Sequence, residues 1–597
     1  MSKRRLGGLL ATVTLLSVAA PVQARLAALR DAPRVRSTAV SPTVENPIVR
    51  ENRRRGSVGW RSAKLDASII KQRDTLDDGD HHRVKGAAFP IGTQSLPFGR
   101  FIAGYVSKDS IDQGESIELH VSTYKPTYDV QIFRMGWYGG ARSRLVWSRT
   151  GLTGVYSTAP APNAFGTVAA NWPVSLAVAT DSSWTSGIYI AKLITAGDVE
   201  YATWVIRNDR STSPVLVQVA TTTYQAYETW GGASLYQPAT PAVKVSYDRP
   251  YYGGDGTGLL FSGDAQMSAF LEREGYDVSY STSTDTQSRP NLMDNHRLFL
   301  VAFHDEYWSK QMRDNLDVWI ANGKNVAFLS ANNMYWQIRF EPGPSGQPNR
   351  VVVCYKSTAD PVFGSTPSLA TLWWRNPAVN RPESAVTGNW YDDTRQTFGS
   401  SNWIVSKASH WFYAGTGLAN GSALPGVVGV EWDLIPSVTP PANVAELSNS
   451  PMAPIGTRQQ ATLRTAPSGA QVFDAGTLRY PLFLDNYTTD PATSAVVQQM
   501  TRNLVTRLSG GTVTPPTTTI APTTTTSTTA PTTTTAPTTT AAPTTIPATT
   551  VPPETSSLAP RPAAPSVGPV STLPRGPANP SVSAGTTISR SPASPSP

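Results

Sequence analysis

The sequence is 597 residues long and has a formal net charge of +8, with 39% hydrophobic and 15% charged residues. This length exceeds that of a usual single domain, so several structural units are expected. The basic excess is modest, and no lysine-rich helix or alternation of aromatic and basic residues accompanies it, which argues against nucleic-acid binding. The single cysteine, Cys354, excludes an intrachain disulfide, and its apolar neighbours predict a buried thiol.

The first 24 residues have the pattern of a secretory signal peptide. A basic start, Lys3–Arg5, precedes the apolar run Leu6–Ala20 and the small-residue cleavage pattern Val22–Ala24. We therefore expect residues 1–24 to be removed from a secreted, extracellular protein. No later stretch of sequence is long and apolar enough to cross a bilayer, so stable membrane insertion is not expected.

Two long segments lack a periodic pattern of apolar residues. Residues 25–96 are polar and basic, and we expect a lead-in that is loosely packed. Residues 511–597 consist mostly of Thr, Pro, Ala and Ser, with too few large apolar side chains to offset the entropy cost of ordering. We predict a disordered stalk that is open to O-glycosylation and to association with the cell wall.

Residues 97–208 have the alternation of apolar and polar residues that is typical of half-buried strands. Ile117, Leu119 and Val121 alternate with polar residues, and Ile188 with Ile190 repeats the pattern. Gly and Pro pairs mark turns between these runs. The pattern predicts an N-terminal β-sandwich.

The stretch Leu298–Phe340 indicates the architecture of residues 214–510. An apolar run, Leu298–Phe303, ends at a polar cluster, and a helical pattern follows until Gly323. A second apolar run, Val326–Leu329, then ends at two asparagines. Buried strands that are joined by a helix pair in parallel. The predicted fold class is therefore α/β, with a doubly wound sheet after the β-sandwich.

Ligands of open parallel sheets bind just beyond the carboxyl ends of the strands. Polar residues follow several predicted strands of this part of the chain, and their side chains should face one crevice. They are Tyr224, His304, Glu306, Asn332 and, after a further apolar run, Glu431.

Three kinds of chemistry fit these side chains, and the spacing alone does not choose between them. Carboxylate and phenolate oxygens suit a hard cation such as ferric iron, with His304 moving protons and Asn332 binding the substrate oxygen. Without a metal, Glu306 and Glu431 would form an acid/base pair of the glycosidase type. In a purely structural interpretation, His304 and Glu306 satisfy each other and the strand ends.

Several motifs resemble the N,N-dimethylformamidase large (beta) subunit family in its C-terminal domain: Thr221–Trp230, His304–Trp308 and Asn332–Trp336. Met135–Gly140 and Trp184–Leu193 resemble secreted members of that family. The resemblance implies a β-rich part followed by an α/β part similar to class I glutamine amidotransferases. It also implies a mononuclear iron, held by two tyrosines and one glutamate, and cleavage of the C–N bond of a small linear amide.

Carried over motif by motif, the resemblance implies that Glu306, Tyr224 and Tyr189 are the metal ligands. His304 and Asn332 match residues around the metal, and Glu431 matches a further acidic residue, so these three are the candidate catalytic residues. The resemblance also implies a small partner subunit, and we expect either such a subunit or an oligomer.

Two departures from the family pattern leave other functions open. Asp305 stands where the family has proline, and the chain carries no counterpart of the small subunit. One alternative is a non-catalytic cell-surface or carbohydrate-binding protein that keeps the fold. The other is a metal-free hydrolase of the glycosidase type.

Overall fold

The computed structural model of the protein describes six stretches of the chain, which are residues 45–78, 100–237, 240–393, 400–452, 456–485 and 490–513. The predicted signal peptide and all but the first few residues of the predicted stalk lie outside these stretches. Within them, no helix is long and apolar enough to cross a membrane.

Residues 45–78 form two helices, where the sequence predicts a loosely packed lead-in. Helix α1 spans Pro47–Asn52 and helix α2 spans Ala63–Asp78. The Asn46 side chain accepts hydrogen bonds from the first N–H groups of α1, as an N-cap residue does. Three apolar side chains of this segment are buried in the main hydrophobic core, namely Ile48, Trp60 and Leu65. They are too widely spaced in the sequence to form a recognisable period.

Eight strands between residues 102 and 207 form two sheets. They are β1 (Ile102–Val106), β2 (Ser110–Asp112), β3 (Ser116–Thr123), β4 (Thr127–Met135), β5 (Ser143–Thr153), β6 (Leu176–Ala179), β7 (Gly187–Thr195) and β8 (Asp198–Arg207). One sheet has the order β2-β8-β7-β4-β5 and the other the order β1-β3-β6. Apolar side chains from both sheets share one core, to which β3 contributes the alternating residues Ile117, Leu119 and Val121.

The rest of the described chain contains both strands and helices and therefore has mixed α/β structure. The strands are β9 (Val215–Val219), β10 (Lys244–Ser246), β11 (Val278–Thr282), β12 (Leu298–Val301), β13 (Tyr307–Ser309), β14 (Asn325–Phe328), β15 (Trp336–Glu341), β16 (Val351–Val353), β17 (Trp390–Tyr391), β18 (Ser400–Ile404), β19 (Ala423–Gly429), β20 (Asp433–Leu434), β21 (Val444–Glu446), β22 (Ser450–Met452), β23 (Thr457–Gln459), β24 (Thr462–Thr465) and β25 (Gln471–Asp474). The helices are α3 (Thr221–Tyr227), α4 (Asp264–Glu274), α5 (Ser283–Ser288), α6 (Lys310–Ala321), α7 (Ser384–Thr387) and α8 (Pro491–Leu508).

The main sheet of this part has seven strands in the order β11-β9-β12-β14-β25-β24-β21. The first five strands are parallel, and β24 and β21 run antiparallel to their neighbours. Taken in chain order, the parallel strands are arranged 2-1-3-4-5, an order of doubly wound sheets. Every residue of β9, β11 and β12 is buried, which explains the uninterrupted apolar run of β12. The strand–helix–strand pattern predicted from residue 298 onward is confirmed.

The backbone turns sharply where β12, β14 and β19 end. His304 and Asn332 have φ angles of 25° and 54°, in the left-handed region. Val430 has a φ of 64°, which is rare for a β-branched residue. Strand β19 pairs with β18 and is not part of the main sheet. Left-handed residues of this kind cost about 1–3 kcal/mol each and cluster at functional sites.

The β-rich and α/β parts are joined by a fully buried ion pair. The Arg134 guanidinium of β4 donates to both carboxylate oxygens of Glu272 in α4, at 2.7 and 3.0 Å. The Tyr280 hydroxyl donates to the same carboxylate at 3.0 Å, and Arg134 donates to the Tyr138 hydroxyl at 2.9 Å. Such a pair is costly to break, because either partner alone would be a buried, uncompensated charge.

Two buried carboxyl groups lie beneath the turn of Asn332 and Asn333. The Asn332 N–H donates to Asp433 Oδ1 (2.9 Å), and Asn333 Nδ2 donates to Asp474 Oδ2 (3.1 Å). The Gly476 N–H donates to the other Asp474 oxygen (2.8 Å). Burial and the adjacent Asp474 charge raise the pKa of Asp433 well above its ordinary value, whereas burial raises the pKa of Asp474 to about 7. Asp433 therefore keeps its proton and donates it to Asp474.

Replacement of Asp433 by Asn should change stability little, because the amide accepts from Asn332 and donates to Asp474 as the protonated acid does. Asp474→Asn should lower the free energy of unfolding by about 1–3 kcal/mol. The NH₂ group of the substituted side chain would face the N–H donors of Asn333 or Gly476, and two donors cannot form a hydrogen bond. Urea denaturation at pH 7 measures both values. Equal losses in the two variants would contradict a proton held on Asp433.

Candidate active site

The Glu306 carboxylate is buried between two tyrosine side chains. The Tyr227 hydroxyl donates to Glu306 Oε2 at 2.7 Å, and the Tyr236 hydroxyl donates to Oε1 at 3.0 Å. The two hydroxyls lie 3.1 Å apart, and the rings are stacked with centres separated by 4.6 Å. The Glu306 N–H donates to Thr223 Oγ1, which fixes the backbone beyond β12. Three oxygen-bearing groups from separate segments therefore meet at one point.

The buried side chain of Arg249 holds the segment that carries both tyrosines. Its guanidinium donates, at 2.8 to 3.3 Å, to the backbone carbonyls of Gln225, Glu228, Trp230 and Ala233. These carbonyls belong to the end of α3 and the loop after it, so one cation fixes the positions of Tyr227 and Tyr236. The Ser234 hydroxyl also accepts from the Tyr236 N–H, which tightens the turn before that ring.

Burial, and next the charge of Glu306, raise the pKa of Tyr227 and of Tyr236 well above the ordinary value. Both phenols therefore hold their protons and donate them to the carboxylate. The Lys356 ammonium lies 3.3 Å from the centre of the Tyr236 ring, and burial lowers the pKa of Lys356 to about 8. The Tyr307 hydroxyl contacts the Tyr236 hydroxyl.

His304, Asn332 and Glu431 lie next to this cluster, as the sequence predicts. His304 Nε2 is 3.1 Å from Glu431 Oε2 and 3.4 Å from Glu306 Oε2. Asn332 Nδ2 donates to Glu431 Oε2 at 2.9 Å. Burial by itself lowers the pKa of His304, but the charges of Glu431 and Glu306 and the hydrogen bond to Glu431 raise it overall. Asn332 Oδ1 is buried and has no hydrogen-bond partner among the described residues, so it is an acceptor available to a substrate.

Tyr224 and Tyr189, the two tyrosine ligands expected from the resemblance, are not brought to Glu306. The Tyr224 hydroxyl donates to Asp264 Oδ2 (2.6 Å), because its ring lies one helical turn before Tyr227 and points towards the start of α4. The Tyr189 hydroxyl donates to the Thr185 carbonyl oxygen (2.7 Å). Its ring faces the core of the β-rich part, stacked between two tryptophans, Trp184 and Trp204.

Tyr227 and Tyr236 are instead the tyrosines that contact the Glu306 carboxylate. Tyr227 lies inside the motif that carries the resemblance, and only the rotation of α3 decides that this tyrosine, and not Tyr224, points to Glu306. Tyr236 follows the Trp-Gly-Gly turn in a loop with no periodic pattern. No feature of the sequence distinguishes it from the other tyrosines nearby.

Asp305, which replaces the proline of the family motif, does not add a charge to the site. Its carboxyl group accepts a hydrogen bond from Gln218 Nε2 at 2.6 Å and is fully buried. Burial raises the pKa of Asp305 to about 8. At neutral pH the side chain is therefore mostly protonated and works as a neutral hydrogen-bonding group behind the site.

The three oxygen-bearing side chains have the composition and spacing of a hard-cation site. A small hard cation with metal–oxygen bonds of about 2 Å brings neighbouring ligand oxygens to about 3 Å from one another. The contacts among Tyr227, Tyr236 and Glu306 lie between 2.7 and 3.1 Å. No group of three His, Cys, Asp or Glu side chains among the described residues could hold a metal ion, so the phenols are essential to such a site.

Comparisons with known proteins identify the family of the chain. The family model described as "N,N-dimethylformamidase beta subunit-like, C-terminal" matches residues 129–491. No curated protein matches the chain. Among solved structures, the sulfur carrier protein SoxY from Chlorobium limicola f thiosulfatophilum is 13% identical, with a TM-score of 0.11, and the match covers 24% of this chain and 96% of SoxY. A likeness of that size carries no argument about fold or function.

The family match covers more than half of the chain. It begins within β4 of the β-rich part, and it contains His304, Glu306, Asn332, Glu431 and both tyrosines that contact Glu306. The protein belongs to the N,N-dimethylformamidase beta subunit-like, C-terminal family.

Proposed function

We propose that this protein is an iron-dependent hydrolase that cleaves the C–N bond of a linear amide. Family membership is consistent with an amide hydrolase. The observation that supports the iron dependence is the contact of two phenols with one buried carboxylate, at 2.7 and 3.0 Å. Oxygen donors of this kind favour hard, highly charged cations over zinc.

Tyr227, Tyr236 and Glu306 would hold the metal. When bound, a ferric ion supplies a Lewis acid that polarises the amide carbonyl and acidifies water. The phenol protons that now point to Glu306 would leave, because phenolate oxygen is the ligand form of tyrosine. Lys356, over the ring of Tyr236, then adds a favourable positive charge beside that phenolate.

Glu431 and His304 can supply the proton transfers of hydrolysis. Glu431 takes a proton from water, and the water oxygen forms a bond to the amide carbon. His304 holds a proton at Nε2 and gives it to the departing amine nitrogen as the C–N bond breaks. The raised pKa of His304 keeps that proton in place before the reaction. Asn332 orients Glu431 through its NH₂ group.

The same proposal includes several finer features that rest on the sequence and on the resemblance. The β-rich part would be a β-sandwich, and the α/β part would resemble class I glutamine amidotransferases. The pattern of residues 1–24 supports secretion. The Thr/Pro-rich segment supports a stalk for wall association, and the family supports a small partner subunit.

Iron binding is expected to depend on Tyr227 and Tyr236. Ferric phenolate absorbs visible light, so the iron-loaded protein should be coloured. Tyr227→Phe or Tyr236→Phe should weaken iron binding by more than about 100-fold. This loss exceeds the roughly 10- to 100-fold loss that is usual when a residue that only supports a metal ligand is changed. Visible absorbance and elemental analysis of the purified protein measure both properties. Tyr224→Phe and Tyr189→Phe are matched controls, which should keep colour and iron.

A colourless protein that still holds stoichiometric iron would rule out phenolate ligands. If Tyr224→Phe removed the colour while Tyr227→Phe kept it, the assignment of ligands would be wrong.

Glu431→Gln is expected to lower kcat on a formamide by about 10²- to 10⁴-fold, the usual contribution of a general base. Gln retains the hydrogen bond from Asn332, so iron content and thermal stability should remain unchanged. Initial rates of amine release with N,N-dimethylformamide, at equal iron loading, give the comparison. Activity within twofold of the unmodified protein would exclude Glu431 as the base, and activity that survives complete chelation would instead favour a metal-free acid/base mechanism.

A further inference from the structure

A band of aromatic side chains extends outward from the candidate active site. This aromatic rim consists of Tyr335, Trp336, Trp373 and Tyr391. The Trp336 ring lies 4.9 Å from the Tyr335 ring and 6.0 Å from the Trp373 ring, and Tyr335 lies 5.5 Å from Tyr391. All of these residues except Tyr335 are half-buried, so each presents part of its ring to solvent.

The aromatic rim is continuous with the residues around Glu306. The Lys356 ammonium lies 3.3 Å from the centre of the Tyr236 ring and 5.3 Å from the centre of the Trp336 ring. The backbone N–H of Trp336 donates to the backbone carbonyl oxygen of Glu306 at 2.9 Å. The Tyr335 ring, which follows Asn332 by three residues, contacts the Tyr391 ring at 5.5 Å between ring centres. A molecule with its amide at the site would therefore lie against these rings.

The polar edges of the aromatic rim indicate which kind of group it fits. Among the described residues, the indole N–H groups of Trp336 and Trp373 and the hydroxyl of Tyr391 have no protein hydrogen-bond partner. An indole N–H only donates and a tyrosine hydroxyl donates or accepts, so these edges suit a ligand with hydroxyl groups. A plain aryl ring would use the flat faces and leave the donors unused.

We propose that the aromatic rim binds a sugar ring, and that the amide cleaved beside it is the N-acyl group of an amino sugar. This inference rests on the proposed hydrolase function for the reaction, but the binding of the sugar does not need it. In the reaction, the water oxygen bonds to the acyl carbon and the C–N bond breaks. The sugar nitrogen takes a proton from His304, and the products are a carboxylic acid and a free amino sugar.

Binding of N-acetylglucosamine to the full-length protein tests the proposal. Isothermal titration calorimetry should show saturable binding of this sugar, and weaker binding of acetanilide, which has a flat ring without hydroxyl groups. Trp373→Ala should weaken sugar binding about tenfold, because it removes one stacking face. Trp147→Ala, at a half-buried tryptophan of β5, is the matched control and should change the affinity less than twofold.

A smaller substitution tests the same surface in case Trp373→Ala does not fold. Tyr391→Phe removes a single oxygen atom and should still weaken sugar binding about threefold or more, with an unchanged circular dichroism spectrum. If acetanilide binds as tightly as the sugar, or if the rim variants match Trp147→Ala, the aromatic rim is not a sugar site.

Two experimental outcomes distinguish the absence of a sugar site from the absence of hydrolase activity. A protein that hydrolyses N,N-dimethylformamide with iron but does not bind N-acetylglucosamine would overturn the sugar site alone. Sugar binding by a protein that stays inactive on both the sugar and N,N-dimethylformamide after iron loading would support the sugar site and contradict the hydrolase.

Discussion

The contact of the Glu306 carboxylate with two phenols is the interaction on which the rest of the site depends. Removing a carboxylate from water costs several kcal/mol unless hydrogen bonds or opposite charges replace the solvent. Tyr227 and Tyr236 provide these hydrogen bonds, and His304 Nε2 lies 3.4 Å from the carboxylate oxygen that Tyr227 contacts. The loop after α3 must therefore return to the end of β12, and Arg249 holds it there through four backbone carbonyls. The same arrangement leaves oxygen atoms spaced as ligands of a hard cation.

Backbone strain and rigid support occur together at the strand ends. His304, Asn332 and Val430 adopt left-handed φ angles next to the groups that would carry the reaction. Such conformations persist only where the surroundings over-determine them. The protonated Asp433 provides part of that support, because it accepts from the Asn332 N–H and donates to Asp474. The polar groups of the site are thereby positioned before any ligand arrives.

The β-rich part is integral to this architecture. The Arg134–Glu272 ion pair crosses from β4 to α4 without solvent contact, and helices α1 and α2 contribute to the main core. The family match begins within β4, so the matched unit includes both parts. Since the site lies at the carboxyl ends of the main sheet, the β-rich part acts by holding the α/β part in place and contributes none of the side chains described at the site.

The sequence alone determined the parallel strands and the residues at their ends. A strand that is buried on both faces of a sheet appears as a continuous apolar run, and the polar residues that follow the run mark where the strand ends. His304, Glu306 and Asn332 could be named on that basis. Glu431 also follows an apolar run, but that run is β19, which pairs antiparallel with β18 outside the main sheet. The tertiary structure alone decided which tyrosines meet Glu306. One helical turn separates Tyr224 from Tyr227, and Tyr236 comes from an irregular loop held by Arg249. Side-chain direction in a short helix and the path of such a loop depend on contacts with distant residues, which a local pattern does not contain.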